Sequence, residues 1–203
     1  IDVNSDEFKA NRERMETLVA DLRKEIEKAH HDRSQKALDR LKETGKLTVD
    51  QKLDLLLDKN TPFLEIAPLA AKDMYDGKIH GAGVRAGIGI VQGREVAISV
   101  SDASIKGGAV YPMGVKKSLR MQTICMENRL PSVALMDSAG AFLPLQSEIF
   151  PDANDGGRIF YNQAMMSKMK IPQITAVMGL CTAGGAYGVA MCDEIVHVQG
   201  HGA

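Results

Sequence analysis

The sequence is poor in cysteine: three of its 203 residues are cysteines, namely Cys125, Cys181 and Cys192. An odd number of cysteines without Cys-x-x-Cys spacing forms neither a disulfide framework nor a thiolate metal site, and the five scattered histidines add no metal-ligand pattern. We therefore predict no metal on this chain. The three thiols are expected to be free, in a reducing compartment, and buried as small apolar side chains.

The chain also lacks a surplus of charge of either sign and a long apolar run. Its 25 Lys and Arg residues oppose 26 Asp and Glu residues, which gives a formal net charge of −1. Proteins that bind nucleic acid through its phosphates normally carry a basic surplus, so nucleic acid is not expected as a main partner. No apolar run approaches the roughly 20 residues that cross a bilayer, so no membrane span is predicted.

A secretory signal is missing from the first residues. Residues 1–6 contain no basic segment followed by an apolar core, and the sequence starts at Ile1 rather than at methionine. We expect the chain to be a processed or truncated product, which leaves open the loss of a targeting segment.

Composition changes near residue 60. The first 60 residues hold 27 of the 51 charged side chains but one of the 19 glycines, Gly45. This contrast predicts two parts: a charged helical extension over residues 1–60 and a glycine-punctuated body over residues 61–203.

Three helix starts can be predicted in the extension. Asn4 with Glu7 fits a capping box, and the helix that follows carries its apolar residues on one face. A second helix is predicted from about Ser34 to Thr44, before Gly45, and a third begins at Thr48. We expect the apolar face of the first helix to be a docking or oligomerisation surface without chemistry.

The body changes to strand periodicity. Alternating apolar residues predict a β-hairpin over residues 84–90 and 96–100, with a turn at Gln92-Gly93-Arg94. Further elements follow in alternation: a helix over 115–128, a strand over 133–136, a helix over 159–169, and strands over 174–178 and 195–198. This alternation predicts an α/β fold with crossover connections.

Two glycine-bearing loops directly follow buried strands. They are residues 137–141 (Asp-Ser-Ala-Gly-Ala) and residues 179–186 (Gly-Leu-Cys-Thr-Ala-Gly-Gly-Ala). Ligands of open α/β sheets bind beyond the carboxyl ends of the strands, where small residues let a ligand approach backbone N–H groups. Two such loops side by side could direct two N–H groups at one carbonyl oxygen, as an oxyanion hole does. Alternatively, the glycines serve only tight strand-to-helix packing.

Other residues indicate chemistry less specifically. Ser138 would need a histidine and an acid as partners to act as a nucleophile, and no motif marks either. Lys106-Gly107-Gly108 lacks the spacing of a phosphate-binding loop of the Walker type. Lys116 and Lys117 share one predicted helix with Arg120, and they suit phosphate contacts or a solvated face equally.

Eight motifs occur in order along the body: residues 106–112, 115–117, 127–131, 142–146, 150–152, 157–164, 171–187 and 190–194. In this order they resemble the carboxyltransferase (β) subunits of biotin-dependent acyl-CoA carboxylases, and the resemblance extends from about residue 35 to the end. Within that family the motifs are most similar to members that act on 3-methylcrotonyl-CoA. One departure is Ala139, where family members usually have glycine, and its methyl group is expected either to narrow the acyl pocket or to shift the loop.

The resemblance implies a fold, partners and a compartment. The fold would be a crotonase-like ββα superhelix with an N-terminal helical extension, and this chain would be the first of two such domains, truncated near its C-terminal end. It would assemble as a homo-oligomer, a hexamer in the family, and work with a biotin carboxylase and biotin carrier subunit. The compartment would be the mitochondrial matrix in a eukaryote or the cytoplasm in a bacterium. Alone, the chain is expected to be inactive.

The resemblance also implies a reaction, the transfer of CO2 from carboxybiotin on a partner carrier domain to an acyl-CoA. Biotin would supply the base, and backbone N–H donors would stabilise the negative charge on the thioester oxygen of the enolate. The implied catalytic residues are Ala183, Gly184, Gly185, Gly140 and Ala141. The implied CoA-binding residues are Lys106, Gly107, Gly108, Lys116 and Lys117.

Three other functions are compatible with the sequence. A biotin-dependent decarboxylase of the glutaconyl-CoA type would use the same pocket in reverse. A truncated, non-catalytic subunit would bind only CoA or partners. A crotonase-type hydratase would need a carboxylate in the pocket, and the available one, Glu194, lies where a strand is predicted to begin.

Overall fold

A six-stranded mixed sheet carries helices on both of its faces in the computed structural model, which describes residues 2–150 and 153–201. The helices are α1 (Asp6–His31), α2 (Gln35–Glu43), α3 (Val49–Leu56), α4 (Pro112–Asn128), α5 (Gln146–Ile149), α6 (Gly156–Lys168) and α7 (Gly184–Ala190). The strands are β1 (Leu64–Glu65), β2 (Val84–Val91), β3 (Arg94–Ser101), β4 (Ser132–Ser138), β5 (Gln173–Cys181) and β6 (Glu194–His197).

The strands lie in the sheet in chain order, β1 to β6. β1, β2 and β3 pair antiparallel, whereas β3, β4, β5 and β6 pair parallel. Parallel neighbours require crossover connections, and α4, α6 and α7 lie in those connections. This arrangement confirms the predicted α/β class and brings the carboxyl ends of β3, β4 and β5 to the same edge of the sheet.

The predicted hairpin is formed by β2 and β3, with a turn that is one residue shorter than predicted. Gln92 and Gly93 form it with φ of 51° and 74°, as a two-residue type I′ turn requires. Arg94 already belongs to β3, where it pairs with Val91. The Asp58 carboxylate accepts the N–H groups of Gln92 and Gly93 at 2.9 and 2.7 Å, which fixes the turn.

The helices cover the sheet through two hydrophobic clusters. On one face, β2 and β3 pack with α4 and α6 through Ala86, Ala97, Met121, Cys125, Leu130, Met166 and Ile171. The other cluster joins α3 to β3 and β4 through Val49, Leu53, Val96, Ile98, Val100 and Leu135. Residues of α3 therefore share a core with the sheet. The domain boundary near residue 60 stays a prediction.

Helix α1 begins one residue later than predicted. Its N-cap is Ser5, whose hydroxyl accepts the N–H of Phe8 at 3.2 Å, so the prediction of Asn4 as the cap is wrong. The Asn4 N–H instead donates to the Asp2 carboxylate at 2.9 Å, which makes a turn before the helix. The predicted apolar face is exposed over its middle, at Met15, Leu18, Val19 and Leu22. A docking role for this face stays a prediction.

The predicted starts of α2 and α3 are confirmed. Ser34 caps α2, which ends before Gly45 in the left-handed conformation, with φ of 67°. Thr48 and Gln51 form a complete capping box at α3. None of the helices in the described part of the chain combines the length and the apolar composition of a membrane span.

Lys117 is a buried lysine that ties α4 to the turn before β2. Its Nζ donates to the carbonyl oxygens of Gly81 at 3.1 Å and Val84 at 2.8 Å. Burial lowers the pKa of Lys117 to about 8, because the ammonium has lost most of its hydration. Lys117 therefore contributes to stability in a way that depends on pH.

Lys117→Met is expected to change how the free energy of unfolding depends on pH. Between pH 8 and 10.5, folding expels a proton from Lys117, since its pKa falls from 10.5 in the unfolded chain to about 8. The contribution of Lys117 is thus lowest below pH 8 and increases as the pH rises. In urea unfolding, the stability of the wild type relative to Lys117→Met should rise by about 1–2 kcal/mol from pH 7.5 to 9.5.

The matched control is Leu119→Met, on the same helix, which removes no titratable group. Its difference from the wild type should not vary over this pH range. A Lys117→Met difference that is equally constant would contradict the assignment of Lys117 as a buried cation.

Candidate functional site

Three loops meet at the carboxyl ends of β3, β4 and β5. The loops after β3 and β4 are joined by three backbone hydrogen bonds. The Ala139 N–H donates to Gly107 O at 3.0 Å, the Val110 N–H donates to Gly140 O at 2.9 Å, and the Phe142 N–H donates to Val110 O at 2.9 Å. The segment that contains the weakly predicted Lys106-Gly107-Gly108 is therefore structurally part of the site.

The two predicted glycine loops lie side by side. Ser138 at the end of β4 pairs with Cys181 at the end of β5, and a Cβ at Gly140 would lie 3.5 Å from Thr182 O. The second loop is shorter than predicted, because the pairing with Ser138 extends β5 as far as Cys181. Residues 182–183 alone connect β5 to α7.

A cavity of about 270 Å³ opens between these loops, the sheet and helices α4, α6 and α7. All five predicted catalytic residues line it: Gly140, Ala141, Ala183, Gly184 and Gly185. Its apolar wall includes Val110, Val115, Met121, Val133, Met136, Ile159 and Met166. Among the described residues that line the cavity there is no Asp, Glu, His, Lys or Arg. The site thus suits an apolar, uncharged group.

The N–H groups of the cavity loops divide into occupied and available donors. The Gly185 N–H donates to Thr182 O at 3.0 Å, and the Gly140 N–H donates to Ser138 Oγ at 3.1 Å. Within residues 2–150 and 153–201, the N–H groups of Ala141, Ala183 and Gly184 have no hydrogen-bond acceptor. The arrangement therefore offers available donors on two neighbouring loops, Ala141 on the first and Ala183 and Gly184 on the second, and Gly140 and Gly185 support them.

Ala183 holds the second loop in a strained conformation. It has φ of 51° and ψ of −118°, a region that residues with a Cβ rarely adopt. Such strain costs on the order of 1–3 kcal/mol and persists only where the surrounding structure enforces it. It places the Gly184 N–H at the first position of α7, where a helix leaves its N–H groups without internal partners.

Steric packing explains the glycines behind the loops. A Cβ at Gly108 would lie 2.0 Å from the carbonyl oxygen of Asp137, and a Cβ at Gly179 would lie 2.2 Å from the Asp137 carboxylate. No side chain fits at either position. For these two glycines, the alternative reading of tight packing holds.

Steric packing does not explain two of the glycines that line the cavity, Gly184 and Gly185. A Cβ at Gly184 would lie 3.6 Å from Phe160, and a Cβ at Gly185 would lie 3.6 Å from Cys181 Sγ, which are ordinary van der Waals contacts. Neither residue has a positive φ. Their small size is therefore available for the close approach of a ligand to the backbone.

Ser138 braces the loop instead of acting as a nucleophile. Its side chain is buried, and its hydroxyl donates to Gly108 O at 2.8 Å and accepts the Gly140 N–H at 3.1 Å. Glu194 lies at the start of β6, opposite Ile174, near the amino end of the parallel strands and away from the loops. The geometry thus favours neither a serine hydrolase nor a hydratase that uses Glu194.

Two ion pairs, which sequence analysis missed, connect the N-terminal helices to the loops. Lys46 Nζ lies 3.0 and 2.9 Å from the two carboxylate oxygens of Asp137. Arg33 donates to Asp102 Oδ2 from Nε at 3.0 Å and from Nη2 at 2.8 Å. The partners are 91 and 69 residues apart in the chain, so no local motif could have indicated them.

The predicted CoA-binding residues occupy different environments. Lys106 and Gly107 are exposed on the loop after β3, Gly108 is buried beneath it, and Lys116 is exposed on α4. Lys117 points inward to backbone carbonyls, so it is not part of an accessible CoA surface. No cluster of three His, Cys, Asp or Glu side chains able to hold a metal occurs in the part of the chain that the structure describes.

The chain is similar in sequence to known carboxylase subunits. The chain is 51% identical over 185 residues to the biotin-dependent 3-methylcrotonyl-coenzyme A carboxylase beta1 subunit of Mycobacterium tuberculosis, which covers 91% of this chain and 35% of that protein. It is 47% identical over 203 residues to the probable mitochondrial methylcrotonoyl-CoA carboxylase beta chain of Drosophila melanogaster, which covers 100% of this chain and 35% of that protein. The chain thus spans about a third of the length of these relatives.

The fold is similar to the crystal structure of the beta subunit of Pseudomonas aeruginosa geranyl-CoA carboxylase, with a TM-score of 0.88 and 42% identity. This match covers 96% of the chain and 36% of that subunit. The structural neighbours confirm the predicted crotonase-like class. Residues 40–203 match the family model described as the carboxyl transferase domain. The chain therefore belongs to the carboxyl transferase domain family, and over nearly its whole length it is similar to β subunits of acyl-CoA carboxylases.

Proposed function

We propose that this chain forms the acyl-CoA half of a carboxyltransferase site, in which two backbone N–H groups bind the oxygen of the acyl thioester. The observation that carries the proposal is that the N–H groups of Ala141 and Gly184 lack acceptors among the described residues, while both residues line one apolar cavity. Removal of an α or γ proton from an acyl thioester places negative charge on this oxygen. Fixed N–H donors in a site without water stabilise that charge strongly.

The residues of the cavity fit a reaction whose base comes from outside this chain. The described lining contains no carboxylate or imidazole that could remove a proton. Biotin, bound on a partner carrier domain, supplies the carboxyl group and the base. The chain's own residues hold the thioester oxygen, orient the acyl group against the apolar wall and exclude water.

The apolar wall favours a neutral branched acyl group, and we propose 3-methylcrotonyl-CoA as the substrate. The relatives at 51% and 47% identity are named for methylcrotonyl-CoA. A glutaconyl group, as in the decarboxylase alternative, would bring a second carboxylate into a cavity whose described lining offers no cation. The carboxylated product of 3-methylcrotonyl-CoA carries the same kind of carboxylate, so the lining does not separate the two directions of the reaction, and the names of the relatives support carboxylation.

The proposal also covers the contacts with CoA, the partner subunits and the cellular compartment. Lys106, Gly107 and Lys116 are accessible for CoA contacts. A biotin carboxylase and biotin carrier subunit would be the partners of a homo-oligomer. The compartment would be the mitochondrial matrix in a eukaryote, as the Drosophila relative's name suggests, or the cytoplasm in a bacterium.

Carboxyl transfer by the complete subunit with its biotinylated partner should follow the size and charge of the acyl group. We expect kcat/KM to be highest for 3-methylcrotonyl-CoA and at least tenfold lower for acetyl-CoA, because each buried CH2 group contributes about 0.8 kcal/mol. A panel of acetyl-, propionyl-, methylcrotonyl-, geranyl- and glutaconyl-CoA measures this preference. Preference for glutaconyl-CoA, or transfer to none of the five, would contradict the proposal.

Gly184→Pro should remove one N–H donor at a helix position that tolerates proline. We expect kcat to fall by about 100- to 1000-fold, as is typical when one such donor is lost. Gly184→Ala is the matched comparison: it keeps the N–H, its Cβ would meet Phe160 at an ordinary 3.6 Å, and its kcat should fall less than that of Gly184→Pro. Circular dichroism and oligomer size would verify that both variants fold. Equal activity of the two folded variants would contradict the role of the Gly184 N–H as a donor to the thioester oxygen.

A further inference from the structure

We propose that Lys46 is a positioning residue for this site. From the connection between α2 and α3, its ammonium group neutralises the buried Asp137 and thereby holds the loop after β4 against the loops after β3 and β5. The inference rests on the proposed function, since it concerns how the Ala141 N–H donor is kept in place.

Asp137 is the last buried charge before the cavity loop. Its neighbour Met136 lines the cavity, whereas the Asp137 carboxylate contacts Lys46, in the connection that leads into α3. Only 2% of Asp137 is exposed. Its backbone oxygen fills the space that a side chain would need at Gly108, and its carboxylate fills that space at Gly179. Asp137 is therefore wedged between the two neighbouring strand ends.

Lys46 provides the direct compensation for this carboxylate. Its Nζ lies 3.0 Å from Oδ1 and 2.9 Å from Oδ2, and its own side chain is 17% exposed. Lys52 on α3 is buried nearby and attracts Asp137 electrostatically, but the described residues show no ion pair between them. A buried carboxylate without a partner is strongly destabilised, so removal of Lys46 would drive Asp137 toward water.

A shift of Asp137 would pass to the donors through existing hydrogen bonds. The three residues that follow carry the bonds from Ser138 to Gly108 O, from Ala139 to Gly107 O, and from Val110 to Gly140 O. Ala141, the next residue, carries the available N–H. Lys46 therefore acts on the site without touching the cavity, whose lining does not include it.

The test compares Lys46→Met with Lys46→Arg in the complete subunit assembled with its biotin-bearing partner. Lys46→Met should lower kcat at least tenfold and change the KM for the acyl-CoA less than threefold, because the donor matters most in the transition state. Lys46→Arg keeps the charge and should stay within about threefold of the wild type. Lys42→Met, at an exposed position on α2, is the matched control and should leave kcat unchanged.

Hydrogen exchange gives a readout that does not depend on activity. In Lys46→Met, the amides of residues 138–142 should exchange at least tenfold faster, while those of β2 and β3 keep their wild-type rates. If Lys46→Met does not fold, Lys46→Met/Asp137→Asn carries the test, because it removes the uncompensated charge. This double variant should fold and regain kcat to within tenfold of the wild type, and a folded double variant without that recovery would overturn the proposal.

The outcomes separate this inference from the proposed function. The wild type could transfer the carboxyl group while Lys46→Met shows unchanged kcat and unchanged hydrogen exchange. This result would overturn the positioning role of Lys46 and leave the proposed function standing. Conversely, the wild type could transfer no carboxyl group while residues 138–142 exchange hydrogen faster in Lys46→Met. This result would contradict the proposed function and still support the link from Lys46 to the loop.

Discussion

The contact between three strand-end loops is the constraint on which the rest of the structure depends. Parallel strands deliver the loops after β3, β4 and β5 to one edge of the sheet, but delivery alone does not align their backbones. Alignment comes from the hydrogen bonds of Ala139, Val110 and Phe142 and from the buried hydroxyl of Ser138. Because those bonds use the Gly140 N–H, the Ala141 N–H is the group left to face a ligand. The available donors are thus a result of which neighbouring amides hold the loops together.

Charge is sorted between the two faces of the sheet. The cavity face presents no ionisable acid or base among the described lining residues other than thiols, whereas Lys52 and Asp137 are buried, and Lys46 half-buried, at the other side of β4. Burial raises the pKa of Cys125 to about 11 and also raises that of Cys192, so these two thiols stay protonated and neutral beside the cavity at physiological pH. In the proposed reaction, an enolate oxygen in this cavity would meet backbone dipoles and no competing counter-ion. This separation explains how a site without charged side chains can still be strongly polar where it needs to be.

Local chemistry made much of the fold predictable from sequence. The caps at Ser34 and Thr48, the Gln92-Gly93 turn and the alternation of strands and helices each depend on residues close together in the chain. The predicted cap at Asn4 failed by one residue, because Ser and Asn are nearly equal as caps and the Asp2 side chain decides between them. The extension of β5 to Cys181 was missed since it is set by pairing with Ser138, in another strand.

The candidate site was predictable in its location but not in the role of each residue. Small residues after two buried strands indicated where a ligand would bind, and the structure places all five of those residues on one cavity. The sequence indicated Gly185 and Gly184 equally as donors. In the structure the Gly185 N–H donates to Thr182 O, whereas the Gly184 N–H is available. It could not reveal Lys46, because the pairing of Lys46 with Asp137 joins residues 91 positions apart. Which amide is free is a property of the assembled loops.

Glycine serves two distinct purposes in this site: it gives room for tightly packed neighbours, and it leaves the backbone open to a ligand. Gly108 and Gly179 are required because Asp137 occupies the space of their side chains, so they would be needed in any protein that buries this carboxylate here. Gly184 and Gly185 have room for a methyl group and ordinary helical backbones, so neither packing nor conformation requires them. What remains is the need for a ligand to come within hydrogen-bonding distance of the main chain. The steric pair thus belongs to the loop scaffold, whereas the unconstrained pair leaves the backbone open to a ligand, and the proposed binding of the thioester oxygen therefore depends on the Gly184 N–H.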